Sequence, residues 1–153
     1  MKTFLTGLML LLFTVACAAQ ETGPQPPTLA YGQDICDECG MLISDARFAS
    51  ATLDLKGNVH KFDDISGMLM YHMDHPESQV RAYFVHAYDT QTWLRGETAF
   101  YVQSPQIQSP MNDGIAAFAD RATAETFAAR VQGAVYEFDE LRVQVHLTLH
   151  STN

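Results

Sequence analysis

Basic residues are scarce in this chain. Its 153 residues include 9 Lys and Arg against 18 Asp and Glu, a formal net charge of −9 with histidines neutral. A field of that sign disfavours nucleic acid and anionic lipid headgroups as partners. Cysteine is scarcer, with three residues in all, and no second Cys-x-x-Cys pair exists to complete a structural zinc site. Long apolar runs are also missing: none reaches the about 20 residues a membrane-spanning helix needs. No glycine-rich phosphate loop, nucleophile–base pair or paired-carboxylate acid/base site stands out, so catalysis is not expected.

The thiols that are present carry the most information. Cys36-Asp37-Glu38-Cys39-Gly40-Met41 gathers two thiols and a thioether in six residues. Thiolate and thioether are soft donors, and soft donors select soft metals, above all Cu(I). The spacing alone leaves alternatives open. A dithiol redox pair belongs between a strand and a helix, and no apolar strand precedes Cys36. A Cys36–Cys39 disulfide suits an oxidising compartment, but the loop it closes is too short to remove much unfolded-state entropy. Met41 favours a soft metal over zinc or a redox pair. Met111 sits in the loop Ser109-Pro110-Met111-Asn112-Asp113-Gly114, where a large apolar side chain gains little from exposure. Met68, Met70 and Met73 lie at helical positions and read as core filler. His72 and His75 fall in the last turn of the same helix, where the dipole favours a cation. His60 is a reserve ligand, and His86 reads as a satisfied strand histidine.

The third cysteine belongs to the N-terminus. Lys2, the apolar run Leu5 to Val15 and Thr14-Val15-Ala16-Cys17 form a signal peptide with a lipobox, which makes Cys17 the lipidation site. Cleavage after Ala19 is the alternative. Ala18 leans toward outer-membrane sorting. Residues 1–16 are therefore the lipoprotein signal peptide. Residues 17–33, polar and proline-rich, form a lipid-anchored tether that is expected to be extended and mobile. Residues 34–150 form one globular domain with halves of about 34–90 and 91–150.

Alternation predicts a strand over 48–55, a turn at Lys56-Gly57-Asn58 and a strand over 59–62. Asp63 or Asp64 then caps a helix from about Ile65 to His75, stopped by Pro76, and a strand follows over 80–88. The second half repeats the order: strands over 98–103 and 114–119, a helix over 121–132 ended by Gly133, and a strand over 134–138. Residues 139–150 read as a further strand, or a short helix plus strand. Phe62-Asp63-Asp64 and Phe118-Ala119-Asp120 fall at matching strand-to-helix junctions. The fold class is α+β, two related ββαβ halves packed as one compact unit.

Cys17, Cys36-x-x-Cys39-Gly40-Met41, Phe62-Asp63-Asp64-Ile65, Trp93, Tyr101-Val102 and Ser109-Pro110-Met111 with Gly114 to Phe118 together resemble the NosL family. The resemblance implies a periplasm-facing lipoprotein that binds one Cu(I) ion. It implies a copper chaperone for nitrous oxide reductase maturation, acting with the nos ABC-type transporter complex, and a fold of two homologous ββαβ halves with similarity to organomercurial lyase. Two positions depart from the family pattern. Thr-Pro-Met-Gly is common where this chain has Ser109-Pro110-Met111-Asn112, and many members carry Cys near the position of Gly67. The metal set expected here is Cys39, Met41 and Met111, with Cys36 as a fourth or alternative ligand. The rivals are a thiol enzyme, either a dithiol oxidoreductase or an organomercurial-lyase relative using Asp37 or Asp63 as its acid, and a structural lipoprotein with a Cys36–Cys39 disulfide.

Overall fold

The computed structural model describes residues 23–148. The signal peptide, the lipidation site Cys17, the start of the tether and residues 149–150 lie outside the described residues.

Strand β1 (Ser50–Asp54) turns back as β2 (Val59–Phe62). Asp54 closes the hairpin, its carboxylate accepting from the backbone N–H of Lys56 and Asn58 at 2.8 and 2.7 Å. Helix α1 (Ile65–Asp74) and strand β3 (Val80–His86) complete the first half. β1 is central, antiparallel to both β2 and β3, and a short strand β4 (Trp93–Arg95) extends the sheet to the order β2-β1-β3-β4. The second half runs β5 (Phe100–Gln103), β6 (Ile115–Phe118), α2 (Arg121–Val131) and β7 (Ala134–Tyr136). Its sheet has the order β6-β5-β7, again with the first strand in the middle. The two halves therefore share both the order of elements and the order of strands. A parallel bridge between Ala87 and Ala117 ties the end of β3 to β6 and joins the two sheets.

The two helix starts match in detail. Asp64 and Asp120 are both extended N-caps, at φ −138° with ψ 148° and 153°. Their carboxylates accept from Ser66 N–H and Thr123 N–H respectively, satisfying donors that a helix leaves orphaned at its start. The cap of α1 is thus Asp64, and Asp63 is released from that role.

Three segments differ from the sequence reading. Residues 138–148 form one continuous helix, α3 (Phe138–Thr148). Leu141, Val143, Val145 and Leu147 alternate with polar residues and imitate a strand. The buried set, however, is Phe138, Leu141 and Val145, at the three-and-four spacing of a helix face. Leu141 and Val145 pack into the same core cluster as Met68, Leu69 and Met70 of α1, so tertiary burial selected the helical period. β4, at three residues, is too short to show a period in the sequence. At the end of α2 the left-handed residue is Gln132, at φ 52°. Gly133 is small for a different reason: a Cβ there would stand 2.7 Å from Val102 Cγ1 and 2.9 Å from Gln103 O.

Contacts with the globular part begin ahead of residue 34. Leu29 packs against the core, Gly32 N–H donates to Ile43 O at 2.8 Å, and Tyr31 Oη lies 3.2 Å from His86 Nε2. His86 Nδ1 lies 2.9 Å from Ala49 O, so both ring nitrogens are satisfied, as a strand histidine requires. Met68 and Met70 are buried and Met73 packs against the same cluster, which accounts for the helical methionines as packing.

Candidate metal site

Residues 36–41 form a closed turn. Cys36 N–H donates to Met41 O at 2.8 Å, and Gly40 N–H donates to Cys36 O at 3.0 Å. Ile35 and Leu42 pair across its base. Gly40 takes φ +72°, a left-handed geometry that a side chain resists. The turn is then fastened to the edge of β2: Asp37 N–H donates to Lys61 O at 2.9 Å, and Lys61 N–H donates to the Asp37 carboxylate at 2.8 Å. That fastening brings the turn beside the strand-to-helix junction Phe62-Asp63-Asp64.

The two thiols end in different environments. Cys36 is 2% exposed and belongs to the core cluster with Ile43, Phe62 and Met68. Burial pushes its thiol up to about 12, although the backbone N–H groups of Cys39 and Asp63 point at the sulfur and favour the thiolate. Cys39 is exposed, and both cysteines are free thiols. The Cys39 thiol donates to Asp63 Oδ1 at 3.4 Å. The ligand atoms of Cys36, Cys39 and Asp63 all lie within 4.8 Å of one another. Asp63 is 2% exposed, and its second oxygen, Oδ2, is buried without a hydrogen-bond partner.

Asp64 fastens the methionine loop to the same place. Its carboxylate caps α1 through Ser66 N–H at 3.0 Å and accepts Met111 N–H at 3.1 Å. Ser66 Oγ also lies 2.7 Å from Asp113 Oδ2. Burial raises the Asp64 carboxyl above the ordinary range, opposed by its bonds to Ser109, Met111 and Ser66. The loop between β5 and β6, from the second half, is thereby held on the first turn of α1, from the first half. Gly67 makes room for it. A Cβ at 67 would stand 2.8 Å from Met111 Sδ, inside contact distance, and 3.6 Å from Glu38 Cβ. The thioether therefore lies over the helix start, with the Cys36–Met41 turn on the other side of the same space. Asn112, where the family pattern has glycine, sits at φ 62°, a conformation that asparagine tolerates better than most residues.

Of the expected donors, Cys36 and Cys39 come together, and Met111 reaches the first turn of α1 through its loop. Met41 leaves the turn 45% exposed, on the solvent side. His60 stands apart from the thiols: its Nδ1 is 3.6 Å from the Asp37 carboxylate and its Nε2 is 3.4 Å from Ser78 Oγ. His72 and His75 turn to Thr52 Oγ1 and Tyr71 O. Asp63 is the residue that a helix-cap assignment obscured. The signal was present in the second half, where Ala119 fills the matching position.

Fold and site define a class: a small α+β protein of two ββαβ halves that holds two thiols, a carboxylate and a loop thioether where the halves meet. The NosL family model matches residues 27–146, and the chain belongs to the NosL family. The copper-binding lipoprotein NosL of Stutzerimonas stutzeri is 25% identical over 149 residues, covering 90% of this chain and 78% of that protein. The solved structure of the copper chaperone NosL from Shewanella denitrificans superposes with a TM-score of 0.65 at 24% identity. It covers 76% of this chain and 96% of that one, and it matches the α+β architecture.

Proposed function

We propose that the protein is a lipid-anchored chaperone that carries one Cu(I) ion on the periplasmic side of the cell envelope. It delivers copper for maturation of nitrous oxide reductase and works with the nos ABC-type transporter complex. Cys39, Met41 and Met111 form the core of the metal set, and Cys36 is a fourth or alternative ligand. Cys17 carries the lipid, with the outer membrane favoured over the inner. The protein is a carrier and not an enzyme. The names of the two relatives support copper as the cargo.

The observation that carries this reading is the split between the thiols. Cys39 is exposed while Cys36 is buried, and Met111 is fixed over the first turn of α1. Soft sulfur donors favour Cu(I), and a set that opens to solvent lets a partner's ligand attack the ion and take it away. Among the described residues no helix is long and apolar enough to cross a membrane.

The reduced soluble chain, residues 18–153, titrated with Cu(I) against a chromophoric competitor, is expected to bind one equivalent. Binding collapses in Cys39→Ser and weakens in Met111→Ala. Affinity that is unchanged in Met111→Ala removes the loop from the site. An absence of Cu(I) binding overturns the reading. The Cys36, Cys39 and Asp63 grouping supplies the acid that a second reading needs, an organomercurial-lyase-like cleavage. Release of benzene from phenylmercury by the reduced chain decides for that reading.

A further inference from the structure

The two halves provide an internal control for Asp63. The junctions Phe62-Asp63-Asp64 and Phe118-Ala119-Asp120 share the same preceding phenylalanine, the same extended cap conformation and a capping carboxylate, which accepts from the N–H two residues on at Asp64 and three residues on at Asp120. A ββαβ unit of this geometry is therefore built equally well with alanine in the middle position. Asp63 is nonetheless a buried carboxylate whose Oδ2 has no partner. An unsatisfied buried polar atom destabilises a fold, and among the described residues the fold obtains no cap, turn or ion pair from this one in return. Its carboxylate accepts from the Cys39 thiol, and both its side chain and its backbone N–H face the Cys36 sulfur.

Building on the copper reading above, we propose that Asp63 is a working member of the metal site: it positions Cys39 and places a carboxylate oxygen beside the thiols to hold the cation. Groups that orient a metal ligand by hydrogen bonding fix its geometry, and their loss typically lowers metal affinity about 10- to 100-fold. Oδ1 performs the orienting bond. Oδ2 is buried without a partner, on a carboxylate whose ligand atom lies within 4.8 Å of both sulfurs, and is the atom left for a positive charge.

The test is a comparison of wild type, Asp63→Ala and Asp63→Asn in the reduced soluble chain. Two readouts are needed: thermal unfolding without metal, and Cu(I) affinity by competitive titration with the Cu(I)–thiolate ultraviolet band followed in parallel. Asp63→Ala is expected to unfold at the same temperature as wild type or higher, since it adopts the residue used at 119. Its Cu(I) affinity is expected to fall about 10- to 100-fold with an altered thiolate band. Asp63→Asn preserves shape and is expected to lose affinity in the same direction. Unchanged affinity and band in both variants overturn the proposal. A large drop in unfolding temperature that accompanies the loss of affinity in both variants also overturns it, by making Asp63 a structural residue. If wild type itself binds no Cu(I), the copper reading fails and this inference fails with it. Wild-type binding that is indifferent to Asp63 sinks this inference alone.

Discussion

At the scale of single residues, Gly67 and His72 show how one side chain's volume or charge is set by its neighbours. Gly67 leaves the space that Met111 Sδ occupies, 2.8 Å from where a Cβ would be. Gly67→Ala raises intrinsic helix propensity by about 1 kcal/mol while pushing the thioether away. The expected outcome is weaker Cu(I) binding in competitive titration with little loss of unfolding free energy. A larger Cu(I) effect than Met41→Ala would rank the loop thioether above the exposed one. His72 is held neutral. Burial, followed by the neighbouring His60, lowers it from its ordinary 6.5 to about 4, and its Nδ1 is buried without a partner. Between those two values the unfolded chain binds a proton that the folded chain refuses. His72 therefore contributes stability that is complete above 6.5 and lost as pH falls toward 4. Asp64, raised by burial, titrates in the opposite sense, so the comparison must be made between proteins. Denaturant unfolding at about pH 4.5 and about pH 7.5 is expected to show a smaller pH dependence in His72→Gln than in wild type.

At the scale of elements, the first turn of α1 joins folding to function. Asp64 both caps the helix and holds the Met111 loop. Asp64→Ala removes a cap, worth about 1 kcal/mol, and leaves Met111 N–H without its acceptor, at about 1–3 kcal/mol more. Chemical denaturation is expected to show a loss in that combined range, and Cu(I) affinity is expected to fall as well. Asp120→Ala, at the matching cap of α2, is expected to cost only about the first amount and to leave Cu(I) affinity unchanged. This scale also separates what the sequence makes readable from what it does not. The strand–helix junctions are readable because an Asp before a helical pattern has one simple use. Which of Asp63 and Asp64 caps is not readable, because both stand within two residues of the helix start at Ile65 and the choice depends on backbone angles. Helix α3 is misread because its alternating apolar residues fit a strand period, and only packing against α1 reveals the face that is buried.

At the scale of the whole molecule, the site lies where two halves of the same order meet. The turn and α1 come from the first half, and the methionine loop comes from the second. The Cys36–Cys39 pair was legible because its donors are close in sequence. The contact of Met111 with the space above Gly67 was not legible, because it depends on the docking of one half on the other through Asp64, Ser66 and Asp113. The role of Asp63 was half legible: the alanine at 119 marked its carboxylate as unneeded by the fold, but only the fold shows it facing the thiols. The most direct test of the account is X-ray absorption at the copper edge on the Cu(I)-loaded, reduced chain. The account predicts a first shell dominated by sulfur, reduced by one sulfur in Met111→Ala. A first shell dominated by nitrogen, or a shell unchanged in both Cys39→Ser and Met111→Ala, would contradict it.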